Sequence, residues 1–168
     1  MAHQLLKKQS SRHMGGRDMI DSNTNVLVVS AHAADFVWRS GGAIAKYVKN
    51  GANVHLVILS YGARGESNDL WNVEGQTLEN VKETRKGELL AAAKCLGLSE
   101  DKVDIWDYQD YHMDITEERM EQLTRKIREV QPHMLFHMVH VMHLIQTMKQ
   151  YQNLCLMQRC YRRLTVYV

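Results

Sequence analysis

No apolar run in this 168-residue chain approaches the roughly 20 residues that a membrane-spanning helix needs, so no bilayer span is expected. Nor is a secretory leader, because Lys7 and Lys8 are followed by polar Gln9, Ser10 and Ser11 where an apolar segment would have to stand. Cysteine is scarce. Cys95, Cys155 and Cys160 lack metal-ligand spacing and leave an odd one over, which points to a reducing cytoplasm rather than a disulfide framework. Charge of one sign is lacking too: 21 basic residues against 19 acidic ones give +2, and no electrostatic case for nucleic acid or an anionic membrane as partner. There is no internal repeat. What remains is the composition of one ordinary globular domain, long enough to bury a core.

The chain is organised around residues 25–42. Val26 to Val29 form an uninterrupted apolar run rich in β-branched residues, as in a strand buried on both faces of a parallel sheet. Polar residues start where that strand should end, with His32 and Asp35 three apart in the turn after it. In open α/β sheets the crevice beyond the carboxyl ends of the strands is where ligands bind. An imidazole and a carboxylate leaving one tight loop can ligate a borderline cation such as zinc. The plainer reading is a polar turn in which Asp35 caps the helix that follows.

Strand and helix patterns alternate from there. A helix is expected from Phe36 to Asn50, with Val37, Ile44, Ala45 and Val48 near one face and Gly51 beyond its C-cap. Gly41 and Gly42 lie inside it at a cost of about 2 kcal/mol relative to alanine, for which a close backbone approach to a strand or ligand is one reason, and packing glycines rather than ligand binders are expected there. A second buried strand is read over Val54–Leu59, then a long polar loop from Ser60 to Gln76, of a length that is usually functional or disordered. Thr77 is a plausible N-cap for a helix from Leu78 to Leu96, stopped at Gly97. A third strand spans Val103–Trp106, followed by Asp107 and Asp110, which border the crevice or merely form the turn. Glu117 and Glu118 favour a helix start, and Met120, Leu123, Ile127 and Val130 share a stripe up to Gln131-Pro132. A fourth strand follows over His133–His137. The pattern implies an α/β fold with a Rossmann-like, three-layer parallel sheet.

Residues 1–24 show no sustained period and read as a flexible leader, ordered at most in part, before a domain over residues 25–138. From Val139 onward there is no Asp or Glu, while Lys149, Arg159, Arg162 and Arg163 are basic and two of the three cysteines occur. Residues 139–168 are either a basic helix packed on the sheet or an atypical tail, out of frame or truncated. The second is the expectation, and it leaves the sheet incomplete on its C-terminal side.

At His32-Ala33-Ala34-Asp35, with Gly41-Gly42 after it, the chain resembles the LmbE-like or PIG-L superfamily of zinc-dependent deacetylases, whose first turn reads His-Pro-Asp-Asp-Glu. Two further blocks agree: Leu59-Ser60-Tyr61-Gly62, and Thr84-Arg85-Lys86-Gly87-Glu88-Leu89 with Ala91-Ala92-Ala93 and Leu96-Gly97. Within the superfamily, Ser30 to Arg39 and Arg64-Gly65-Glu66-Ser67 are similar to the 4-oxalomesaconate hydratases. Several separated blocks are more specific than one His-x-x-Asp pair.

The resemblance implies zinc held by His32 and Asp35. It also marks a departure, since deacetylases use the first Asp of their turn as general base, and Ala34 stands at that position. A hydratase, which adds water to an activated double bond and expels no amine, can place its base elsewhere, and Glu66 is the candidate acid/base. Arg64 and Arg39 are candidates for binding substrate carboxylates, or simply solvated. The expected substrate is a small unsaturated keto-dicarboxylic or tricarboxylic acid of aromatic-acid breakdown, with a homo-oligomer left open. An N-deacetylase of an amino sugar is the first rival and an inactive truncated fragment the second. Relatives are expected to continue for roughly a hundred residues past the fourth strand and to supply a third ligand from a Tyr-Asn-x-Asp-His-like segment, which is not found here. His137, His140 and His143 lie in that region in different surroundings.

Overall fold

The computed structural model describes residues 20–110, 114 and 116–137, and the backbone of 165–167. Most of the leader, His112, His140, His143 and the rest of the tail lie outside the described residues. In chain order the elements are β1 (Asn25–Ser30), α1 (Asp35–Lys49), β2 (Asn53–Ile58), α2 (Leu78–Cys95), β3 (Val103–Ile105), α3 (Glu117–Val130), β4 (Met134–His137) and β5 (Thr165–Tyr167). The strands are all parallel, in the order β3-β2-β1-β4-β5. This is the Rossmann-like α/β sheet expected, with β1 central and the order reversing between β1 and β4, where doubly wound sheets open their crevice. The fifth strand is a finding that no apolar period had suggested.

The alternation of side chains along each strand sorts the apolar residues into two cores. Val26, Val28, Val54, Leu56 and Ile58 pack with Phe36, Ile44, Leu89 and Ala93, so α1 and α2 cover one face. Leu27, Val29, Val57, Leu59 and Leu135 pack with Leu123, Ile127 and Val130, so α3 covers the other. Each fully buried aliphatic side chain contributes about 1.5–3 kcal/mol, which makes β1 and β2, apolar on both faces, the stable frame.

Thr77 caps α2 by accepting the Asn80 amide, as its position predicted. Thr116 caps α3 in the same way by accepting the Arg119 amide, without a capping box. The stripe on α1 is corrected. Phe36 and Ile44 are buried, whereas Val37 is exposed, because the helix begins at Asp35 and turns Phe36 toward the sheet. Gly41 is buried and a Cβ on it would meet Leu96 and Val37 at ordinary contact distances, as at a packing position, whereas one on Gly42 would meet nothing within 4 Å. The long loop contains a 3-10 turn at Asn68–Asn72. Ahead of β1, Asp21 to Thr24 form a tight turn closed by the Asn23 amide on Asp21 Oδ1. Among the described residues no helix is long and apolar enough to cross a membrane.

Candidate metal centre

The turn after β1 is tied down at several points. Beyond the last ladder residues, the Leu59 amide donates to Ser30 O and the Ser60 amide to Ala31 O, so β1 and β2 run on together into the site. Ser60 Oγ adds a second bond to Ala31 O, and Ser30 Oγ donates to His32 O at 2.9 Å. The chain must turn sharply to start α1, and the small Ala33 and Ala34 let it do so, Ala34 being the N-cap without a capping side chain. Asp35 is therefore not the cap. Its carboxylate turns back on the loop and accepts the His32 amide at 3.1 Å.

Three side chains converge there. His32 Nδ1 lies 3.3 Å from Asp35 Oδ2 and 3.2 Å from Glu66 Oε1. One donor atom from each of His32, Asp35 and Glu66 lies within 4.8 Å of the others, the one grouping of this kind among the described residues. His32 holds its proton more tightly than an ordinary histidine. The hydrogen bond to Asp35 is the largest cause, burial opposes it, and the charges of Glu66, Asp35 and Asp110 reinforce it. For Asp35 burial acts upward, but the hydrogen bonds from the His32 ring and amide, with the charges of His32 and Arg39, bring it below the usual carboxylate range. One imidazole and two carboxylates form a donor set that suits zinc or another borderline divalent cation, provided His32 is deprotonated.

Glu66 comes from the loop after β2. Gly62 adopts a left-handed conformation there (φ +67°), and a Cβ on it would stand 3.1 Å from Glu66 Oε2 and 3.4 Å from His32 Cβ. Trp71 anchors the outer part of this loop by donating Nε1 to Ala63 O at 2.7 Å. Trp38 is 84% exposed on α1. The two candidate arginines sit on the rim. Arg64 is exposed beside Glu66, and Arg39 is exposed on the first turns of α1, near enough for its charge to act on Asp35.

Two further residues belong to this neighbourhood. Asp110, read from sequence only as a crevice border or turn former, accepts the Gly62 and Arg64 amides. Arg85, quoted only as part of a matching block, donates Nε to Tyr61 O and pairs with Glu88 at 2.9 Å, on the wall of a groove of about 440 Å³ shared with Glu66. Asp107 sits at φ +51° with its carboxylate on Lys82 Nζ at 2.7 Å. His137 is buried at the end of β4, in register with Val29.

The family described as PIG-L, GlcNAc-PI de-N-acetylase, matches residues 27–147. The chain belongs to the PIG-L family. The match reaches past residue 138, the boundary expected from sequence. Within the PIG-L proteins, the chain is 45% identical over 116 residues to a 4-oxalmesaconate hydratase of Pseudomonas putida, covering 69% of this chain and 44% of that protein. It is 35% identical over 78 residues to a 1D-myo-inositol 2-acetamido-2-deoxy-alpha-D-glucopyranoside deacetylase of Rhodococcus jostii, covering 45% and 27%. The solved structure of GalB, the 4-carboxy-2-hydroxymuconate hydratase from Pseudomonas putida KT2440, superposes with a TM-score of 0.69 at 39% identity over 76% of this chain and 56% of that one. The N,N'-diacetylchitobiose deacetylase from Pyrococcus horikoshii shares the fold, with a TM-score of 0.60 at 22% identity over 81% and 49%. The chain thus spans about half the length of these hydratase relatives.

Proposed function

We propose that this chain carries the metal-binding part of a zinc-dependent hydratase that adds water to an unsaturated keto-dicarboxylic or tricarboxylic acid in aromatic-acid breakdown, in the cytoplasm. The observation that carries the reading is the convergence of His32, Asp35 and Glu66 at one point with Ala34, which has no proton acceptor, beside them. The likeness to the Pseudomonas putida hydratase, in sequence and in structure, supports it.

His32 and Asp35 would hold the ion, His32 through Nδ1, the nitrogen that faces the carboxylates, and the Glu66 carboxylate would add a third donor until substrate enters. Zinc, when bound, supplies a Lewis acid that draws electrons from a conjugated keto-acid. Glu66 then serves as acid/base: it takes one proton from the adding water as the oxygen bonds to the alkene, and returns a proton to the neighbouring carbon. Arg64 and Arg39 on the rim offer guanidinium forks to substrate carboxylates. Metal analysis of the purified chain, together with a hydration assay following loss of the conjugated alkene absorbance, tests the reading. One zinc per chain, lost in His32→Ala, supports it. A chain that holds no zinc overturns it.

The family description and the deacetylase relatives favour a second reading, an N-deacetylase of an amino sugar. Ala34 counts against it, because the usual base of that reaction is lacking at this position. Release of acetate from an N-acetylated amino sugar, with no hydration of keto-acids, would establish it in place of the first.

A further inference from the structure

We propose that Asp110 is the positioning residue of this centre: it holds the loop after β2 in the shape that brings Glu66 to His32. The proposal rests on the metal-centre reading above and adds a residue to it.

Asp110 Oδ1 accepts the Gly62 amide at 3.1 Å, and Oδ2 accepts the Arg64 amide at 2.6 Å. Two N–H groups two residues apart can point at one carboxylate because Gly62 is left-handed, which turns the peptides into a small anion-binding concavity. Hydrogen bonds to an ionised carboxylate are roughly twice as strong as neutral ones, so this grip is firm.

The held residue is also the one from which Glu66 hangs. Gly62 O accepts the Glu66 amide at 3.1 Å and Ser67 Oγ at 2.9 Å. Gly62 is thus fixed at its nitrogen by Asp110 and fixes Glu66 through its oxygen, while its lack of a Cβ leaves the space that the Glu66 carboxylate occupies.

Asp110 is itself anchored. The Trp106 and Tyr108 amides continue the β3 ladder onto Ile58 O and Leu59 O, the latter at 2.7 Å. The Tyr108 hydroxyl donates to Gln122 Oε1 at 2.7 Å, and the Arg119 guanidinium lies 4.3 Å from its ring centre. The loop after β3 is therefore braced against α3, and its carboxylate reaches across to the loop after β2. With both oxygens turned to amides, Asp110 acts as a holder rather than as a ligand.

The test is a double-mutant cycle on the full chain, reading zinc affinity by competition with a chromophoric chelator, with amide exchange at Gly62 and Arg64 in the metal-free chain as second readout. Asp110→Asn keeps the shape and removes the charge. It is expected to speed exchange at both amides and to weaken zinc binding by about 10- to 100-fold, the usual effect of losing a supporting residue. In a Glu66→Ala background the same change is expected to alter affinity by less than about twofold, since residues acting as one unit are not additive. Equal losses in both backgrounds, or unaltered amide exchange, overturn the proposal. If Asp110→Asn does not fold, Asp110→Ser takes its place with the same expectations. Zinc retained by His32→Ala would sink the metal-centre reading itself, an outcome separate from any result at Asp110.

Discussion

A histidine stands at each end of the sheet, and the two do opposite things. At the amino edge His133 Nδ1 accepts the Asn25 amide at 3.0 Å, while Asn25 in turn bonds Val130 O and the Asn53 side chain. Each of these contacts pairs a donor with an acceptor, and the set closes on itself as a clasp between β1, β2 and the α3–β4 turn. At the carboxyl edge His32 Nδ1 faces two carboxylates, with the charge of a third acidic group, Asp110, also acting on it. Negative charge there exceeds what one imidazolium balances. A surplus of donor atoms of one sign around one point suits a cation; a balanced set suits only the fold.

The sharpest break in that comparison is expected at Gly62. Gly62→Ala forces a side chain into a left-handed conformation, costing about 1–2 kcal/mol, and drives its Cβ toward Glu66. Urea unfolding should show that loss, and zinc binding should fall with it. Unchanged zinc affinity would mean that Glu66 is not held as described.

Next comes the histidine pair itself. His32→Ala is expected to abolish zinc binding while leaving the circular dichroism spectrum intact. His133→Ala should leave zinc binding unchanged and destabilise by about 1 kcal/mol, the worth of one hydrogen bond. Equilibrium dialysis and denaturant titration separate the two, and equal effects on zinc would erase the distinction between the edges.

Acidity sharpens the comparison further. In the metal-free chain the raised pKa of His32 contributes stability that is full below the ordinary histidine value and is lost as pH rises through the raised value. Zinc needs the unprotonated ring, so its affinity should change in the opposite direction, falling as pH drops through that same raised value. Melting curves and zinc titrations across the neutral range should therefore slope oppositely, and His32→Ala should flatten the stability trend.

The smallest effect is expected at Gly42. With nothing within 4 Å of a Cβ, Gly42→Ala should stabilise α1 by about 1 kcal/mol and leave zinc affinity untouched. A loss of stability would reveal a neighbour at that face.

Sequence reasoning reached the frame easily because the physics there is local. Val26 to Val29 are apolar at every position and the second strand at all but His55 from Val54 on, which burial on both faces explains, and Gly51 and Gly97 stand where the two helices end, both left-handed. His32 and Asp35 were legible as a pair because they stand three positions apart in one turn. Glu66 was legible only through its place in a matching block, since its nearness to His32 depends on β1 and β2 lying in register. Asp110 was seen and given the lesser role, because its partners are backbone amides, which carry no residue identity. The capping reading of Asp35 failed for a related reason: the carboxylate had a choice of amides, and the turn directed it to His32.

The amino-acid sequence by itself determined the alternation of strands and helices, the buried faces of the central strands and the chemistry available after β1, because propensity, period and residue type act over a few neighbours. Only the tertiary structure decided that a glutamate 34 positions after His32 and an aspartate 78 positions after it meet at that turn. Parallel strands deliver their loops to one edge whatever the chain length between them, and sequence distance carries no trace of that edge.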